Sequence, residues 1–258
     1  MSNYRRRAGI RIEVWRDADA LALGTAQEIA GHVKEAIELR GMATLSVSGG
    51  STPRKVYEKM AGELRDRFEW GRLFLFFGDE RTVPPDHPDS NFRMVERALL
   101  EKVPLPRANV YRMAGEASPI DGAGGYEDAL RAFFHHGADG EFPRFDVMML
   151  GLGEDGHTAS LFPETDALKN RKDWVVANHV PQLHTTRLSL TYPVINHSRH
   201  IMVLVSGEAK ADIVARVLES PVRDDAYPMR GVSPVNGDLA WKLDKGSASL
   251  LKEPGIEK

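Results

Sequence analysis

Short apolar runs separated by longer amphipathic stretches set the plan of this chain. Ile10–Trp15 alternates apolar and polar residues, as a strand with one buried face does. Ala43–Val47, Leu73–Phe77 (LFLFF), Val147–Leu150 and His200–Val205 are nearly continuous apolar runs, the mark of strands covered on both faces. Asp173–Ala177, Arg187–Leu190 and Trp241–Leu243 read as further strands, the last of them short. Between the runs the period changes to that of a helix. Leu21, Ile29, Val33 and Ile37 give one face to a helix over Ala20–Arg40, with Asp17 or Asp19 as cap and Gly41 as stop. Val56, Tyr57, Met60 and Leu64 share a second helical face behind Thr52, a suitable N-cap, and Pro53 in the first turn. Ser90 caps a third helix bearing Phe92, Val95 and Leu99; Pro119–Gly125 reads as loop and Tyr126–Phe134 as helix. Ile213, Val214, Val217 and Leu218 mark another helix, and a final one is predicted from Asp244.

Strands alternating with helices predict a mostly parallel α/β sheet with helices on both faces. In such sheets ligands bind outside the carboxyl ends of the strands. Four buried strands end in small, polar or charged turns: Ser48–Thr52, Gly78–Arg81, Gly151–His157 and Ser206–Lys210. Parallel connection places all four turns at one edge.

Composition narrows the class. With 258 residues, 42% hydrophobic, the chain has ample surface to bury, and one domain over 1–258 is expected, with 1–8 and 253–258 as tails. A net charge of −3 gives no basic face for nucleic acid. The absence of cysteine excludes a disulfide framework and thiolate chemistry. No apolar run approaches a membrane span. Arg5, Arg6 and Arg7 read as a solvated leader without a signal-peptide core, so a cytoplasmic protein, monomeric or weakly self-associating, is expected.

The turns carry the chemistry. Ser48, Gly49, Gly50, Ser51 and Thr52 present consecutive backbone N–H groups at a helix start, a natural cradle for a phosphate, although no Gly-Lys-Ser/Thr of a P-loop follows. Lys210 opens a helix, where a cation opposes the dipole unless an anion also sits there. Arg81 follows the most apolar strand, with Asp79 as a candidate ion-pair partner. His157 is the one histidine in such a turn; it can act as a general base near neutral pH, with Asp155 fixing its tautomer. No G-x-S-x-G elbow supplies a nucleophile. His135-His136 and His179/His184 lack the spacing of a catalytic zinc site, so neither metal nor cofactor is expected. A phosphate cradle, cations and one histidine point to water attack on, or proton transfer in, a small phosphorylated metabolite.

The segments SGGSTP (Ser48–Pro53), FFGDERTVPPDHPDSNF (Phe76–Phe92), GLGEDGHTASLFP (Gly151–Pro163) and SGEAKA (Ser206–Ala211) closely resemble the 6-phosphogluconolactonase family, related to glucosamine-6-phosphate deaminase. RLSLTYPVIN and VSPVNGDLAWKLD are similar as well, so the likeness runs nearly the whole chain in order. The resemblance implies a three-layer α/β/α fold with a Rossmann-like sheet, and hydrolysis of 6-phospho-D-glucono-1,5-lactone. It implies phosphate binding by Gly49, Gly50, Ser51, Thr52 and Lys210, with Arg187 or Arg81 adding charge. His157 is then the base, oriented by Asp155, with Asp79 holding Arg81. In the deaminase the corresponding turn runs on to a glutamate just before the proline, part of a ring-opening relay; here that position is Phe162, which relays no proton.

Overall fold

The computed structural model describes residues 10–134, 141–219, 226–252 and the backbone of 256–257. Arg5–Arg7, His135, His136 and the expected terminal tails, apart from that backbone pair, lie outside the described residues.

The chain opens with β1 (Ile10–Trp15) and α1 (Ala18–Arg40). Asp17 caps α1, its carboxylate accepting from Ala20 N, and Gly41 closes it in the left-handed region at φ 79°. Then come β2 (Ala43–Val47), α2 (Ser51–Ala61), β3 (Leu73–Phe77), β4 (Asp79–Arg81), α3 (Asn91–Val95), β5 (Val110–Tyr111), α4 (Pro119–Phe134) and β6 (Val147–Leu150). The second half holds β7 (Val175–Val180), β8 (Thr185–Leu190), α5 (Tyr192–Asn196), β9 (His200–Val205), α6 (Ala211–Glu219), β10 (Asp238–Asp244) and β11 (Ile256–Glu257).

The main sheet has the order β11-β1-β10-β9-β6-β2-β3-β5, and each of its pairings is parallel. Phe76 packs on Phe133 and Phe134 of α4, whereas its neighbour Phe77 packs on Phe92 of α3. Adjacent strand residues point to opposite faces, so α3 and α4 cover opposite sides of the sheet. This is the three-layer α/β/α arrangement.

Several boundaries differ from the sequence reading, each for a physical reason. Asp79–Arg81 is not only a turn: it is a strand of a second, three-stranded antiparallel sheet, β4-β8-β7, in which Arg81 faces Arg187. Helix α4 begins at Pro119; its glycines suggest a loop, but the Ser118 hydroxyl accepts from Asp121 N at 3.2 Å and Pro119 suits the first position. The segment after Asp244 forms turns rather than a helix. β10 is a seven-residue interior strand, not a short last one. Its apolar pattern is broken by Lys242, which is fully buried and bound to Glu13 at 2.8 Å and to Glu28.

Candidate active site

The four turns that the sequence places at one edge follow β2, β3, β6 and β9, strands that lie side by side in the order β9-β6-β2-β3. They enclose a cavity of about 300 Å³ lined by Ser48–Pro53, Asp79, Arg81, Asn91, Gly151–Gly153, His157, Ala159, Leu204–Ser206 and Lys210.

One wall is the start of α2. Gly50, not Thr52, precedes this helix, and no side chain caps it, so its first-turn N–H groups face the cavity side without a protein carboxylate. The Thr52 hydroxyl is committed elsewhere: it lies 2.8 Å from the Ser206 hydroxyl and ties the β2 turn to the β9 turn. Gly49 has no room for a side chain, since a Cβ there would come within 1.9 Å of Asn91 Oδ1. Lys210, in a single 3₁₀ turn before α6, reaches across and donates to Leu152 O at 3.1 Å. An ammonium has three donors, so this bond leaves Lys210 with capacity for a ligand.

The opposite wall carries the histidine. Asp155 Oδ1 lies 2.6 Å from His157 Nδ1 and also accepts from His157 N at 3.0 Å, which fixes the ring relative to its own backbone. With Nδ1–H donating to the carboxylate, Nε2 keeps the lone pair. The ring stacks on Phe162, centroids 4.0 Å apart and planes 26° apart. Gly153 permits the approach: a Cβ there would lie 2.0 Å from His157 Nδ1. Burial pushes the Asp155 carboxyl up, but its hydrogen bond to His157 and the imidazole charge prevail and hold it below the ordinary aspartate value.

A third group closes the floor. Asp79 does not hold Arg81. Its carboxylate accepts from Ser160 Oγ at 2.8 Å and from Asn91 Nδ2 at 3.3 Å, joining the loops after β3 and β6. Arg81 instead donates to the carbonyl of Asp89. Buried Glu80 caps α3, accepting from Asn91 N at 2.7 Å and Phe92 N at 2.8 Å. Burial raises its pKa despite these bonds.

Of the predicted site residues, Gly49, Gly50, Ser51, Thr52, Asp79, Arg81, His157 and Lys210 line the cavity, and Asp155 stands behind His157. Arg187 is not among the lining residues; it pairs in register with Arg81, and burial and the Arg81 charge lower its pKa. The sequence reading missed Asn91. Its contacts with Gly49 and Asp79 join segments far apart in the chain, and no local spacing announces them.

The profile of the family described as glucosamine-6-phosphate isomerases/6-phosphogluconolactonase matches residues 16–241. A 6-phosphogluconolactonase of Nostoc sp. is 38% identical over 241 residues, covering 93% of this chain and 98% of its own. One from Synechocystis sp. is 40% identical over 226 residues, covering 87% and 91%. The solved 6-phosphogluconolactonase of Trypanosoma cruzi superposes with a TM-score of 0.82 at 26% identity, over 98% of this chain and 100% of its own. With the four turns in one cavity and the match spanning nearly the whole sheet, the chain belongs to the glucosamine-6-phosphate isomerase/6-phosphogluconolactonase family.

Proposed function

We propose that this protein hydrolyses 6-phospho-D-glucono-1,5-lactone to 6-phospho-D-gluconate, the lactone-opening reaction of the oxidative pentose phosphate pathway. The observation that carries this reading is one cavity shared by an aspartate-held histidine and an uncapped helix start flanked by a lysine.

The phosphate sits on the N–H groups of Gly49–Thr52 and on Lys210, and its binding energy holds the lactone against His157. His157 Nε2 takes a proton from a water, which attacks C1. The carbonyl oxygen becomes an oxyanion, stabilised by Arg81 or by turn N–H groups, among which the Gly153 N–H is already spent on His157 O at 2.9 Å. Collapse of the tetrahedral intermediate breaks the C1–ring oxygen bond. His157 returns the proton to that oxygen, leaving a carboxylic acid that ionises and a free hydroxyl. Asp155 stabilises the imidazolium that forms between the two transfers. The sequence as drawn needs no cofactor.

Phe162 separates this chemistry from the ring-opening and amine release carried out by the related deaminase. Its ring lies flat against His157, at the position where the resemblance implies a relaying glutamate. A hydrocarbon stacked on the imidazole orients it and moves no proton.

The test is a coupled assay with freshly prepared lactone, in which a dehydrogenase oxidises the released 6-phosphogluconate. The purified protein should raise the rate above spontaneous hydrolysis and release no ammonia from glucosamine 6-phosphate. Ammonia release without lactone hydrolysis overturns the proposal.

A further inference from the structure

A second aspartate–histidine pair lies at the amino end of the same sheet. His200 opens β9, and its Nδ1 lies 2.9 Å from Oδ1 of Asp238, its register partner on β10. The His200 ring stacks on His32 of α1, centroids 3.7 Å apart and planes 15° apart. Glu35 follows His32 by three residues and so shares its helix face. One ligand atom from each of His32, Glu35 and His200 lies within 4.8 Å of the others. All three line a cavity of about 410 Å³, separate from the candidate active site. The length of β9, six residues or about 20 Å, stands between the two places.

We propose that His32, Glu35 and His200 form a binding site for a divalent transition metal of the zinc type. The donor set is two imidazoles and a carboxylate, which suits zinc, cobalt or nickel and not magnesium or calcium. His200 already has a hydrogen-bonded carboxylate behind it, and His32 has one within ion-pair distance. Asp238 takes the Nδ1 side of His200, and Glu28 Oε1 faces His32 Nε2 at 3.7 Å. A carboxylate on one ring nitrogen leaves the other with its lone pair outward, the usual preparation of a histidine for a metal. The His32 Nε2 atom is buried, and at that distance from Glu28 it makes no hydrogen bond among the described residues. In the stack the in-plane lone pairs of the two rings do not converge, so binding one ion requires His32 to turn out of it; drawing its other nitrogen onto the metal then turns Nε2–H toward Glu28. Glu35 is exposed and free to swing inward, which leaves one position of a tetrahedral ion to water.

The cavity also contains Arg40, Arg144 and Arg199, so an anion is the competing occupant. Each of these guanidiniums has one contact within the protein. Asp146 binds Arg40 at 2.6 Å and Arg199 at 3.2 Å, and Arg144 donates to the Asn236 carbonyl. The histidine edges and Glu35 offer lone pairs that only a cation can use, whereas the arginine N–H groups still unpaired, Arg199 Nε among them, suit an anion, and the titration below separates the two.

The experiment uses the full chain, freed of any affinity tag and stripped with chelator. Titration with Co²⁺, followed by visible absorption, should show one equivalent bound with the spectrum of a four- or five-coordinate site. Zn²⁺ should displace it; Mg²⁺ and inorganic phosphate should not. Glu35→Ala, at an exposed position that the fold tolerates, should weaken binding, and His32→Gln with His200→Gln should abolish it. Asp238→Asn should weaken it by roughly 10–100-fold, as loss of a carboxylate behind a metal-binding histidine does. His157→Asn should bind Co²⁺ like the unaltered protein. Three results overturn the proposal: no saturable Co²⁺ binding, equal binding by Glu35→Ala and the double histidine variant, or binding lost in His157→Asn. Binding of phosphate at this cavity with no Co²⁺ spectrum assigns it to an anion instead.

Discussion

His157 and His200 are built alike and placed at opposite ends of one sheet. Each has Nδ1 within 3 Å of an aspartate Oδ1, 2.6 Å for Asp155 and 2.9 Å for Asp238. Each lies against a second ring, Phe162 in one case and His32 in the other. What differs is the company. His157 follows the carboxyl end of β6 and shares a cavity with glycine turns and a helix start, groups suited to a phosphorylated substrate. His200 stands at the amino end of β9, where Asp146 pairs with Arg40 and Arg199 and the nearby lone pairs are those of another imidazole and Glu35. The comparison teaches that an Asp–His pair has no function of its own. It prepares a lone pair, and the neighbouring groups decide whether a water proton or a metal ion takes it.

The sharpest way to break the comparison is to remove each histidine in turn. His157→Asn should cut kcat by roughly 10²–10⁴-fold, the usual yield of general acid–base catalysis, with KM little changed. His200→Gln should leave lactone hydrolysis unchanged. Near-normal turnover in folded His157→Asn returns that residue to a structural role. Chelator treatment extends the same contrast: turnover should persist after metal is stripped, and a rate restored only by zinc would move metal chemistry to the carboxyl end.

Lys210→Ala comes next. A charge-assisted contact is worth about 1.5–3 kcal/mol, so kcat/KM on the phosphorylated lactone should fall roughly 10–150-fold. On unphosphorylated glucono-1,5-lactone the same substitution should change little. Equal losses on both substrates would show that Lys210 serves the reacting carbonyl or the fold, and the anchor would then be sought at Arg81.

Phe162→Leu tests the ring behind His157. Aromatic pairs contribute about 0.5–1.5 kcal/mol beyond burial, which predicts a loss of roughly 2–10-fold in kcat. A full loss would mean that Phe162 shapes the substrate site directly.

The smallest effect is on acid stability. Asp155 titrates below its ordinary 3.8 in the folded protein. Its pairing therefore stabilises the fold above the unfolded-state value, and that contribution is lost as pH falls through the lower folded-state value. Asp155→Asn should melt earlier than the unaltered protein at neutral pH, and the gap should begin to narrow below about pH 4 and vanish below the folded-state value. A gap that persists in acid would trace the loss to the backbone bond at His157 N, not to the charge.

Much of this was legible along the chain. Glycine-bounded apolar runs are local features, and so are the caps at Asp17 and Ser90, each set by a few neighbouring residues. Parallel topology then brings the turns after β2, β3, β6 and β9 to one edge, so the strand pattern alone groups His157, Lys210 and the Ser48–Thr52 cradle. The tertiary structure decided the partners. Sheet order and strand register set who touches whom across long separations, and no local periodicity encodes them. Asn91 meets Gly49, Asp79 turns to Ser160 instead of Arg81, and Arg187 lands in register with Arg81. His32 and His200 lie far apart in the sequence. They become a pair because α1 crosses the amino end of β9, and pairing α1 with β9 is a matter of packing rather than of pattern.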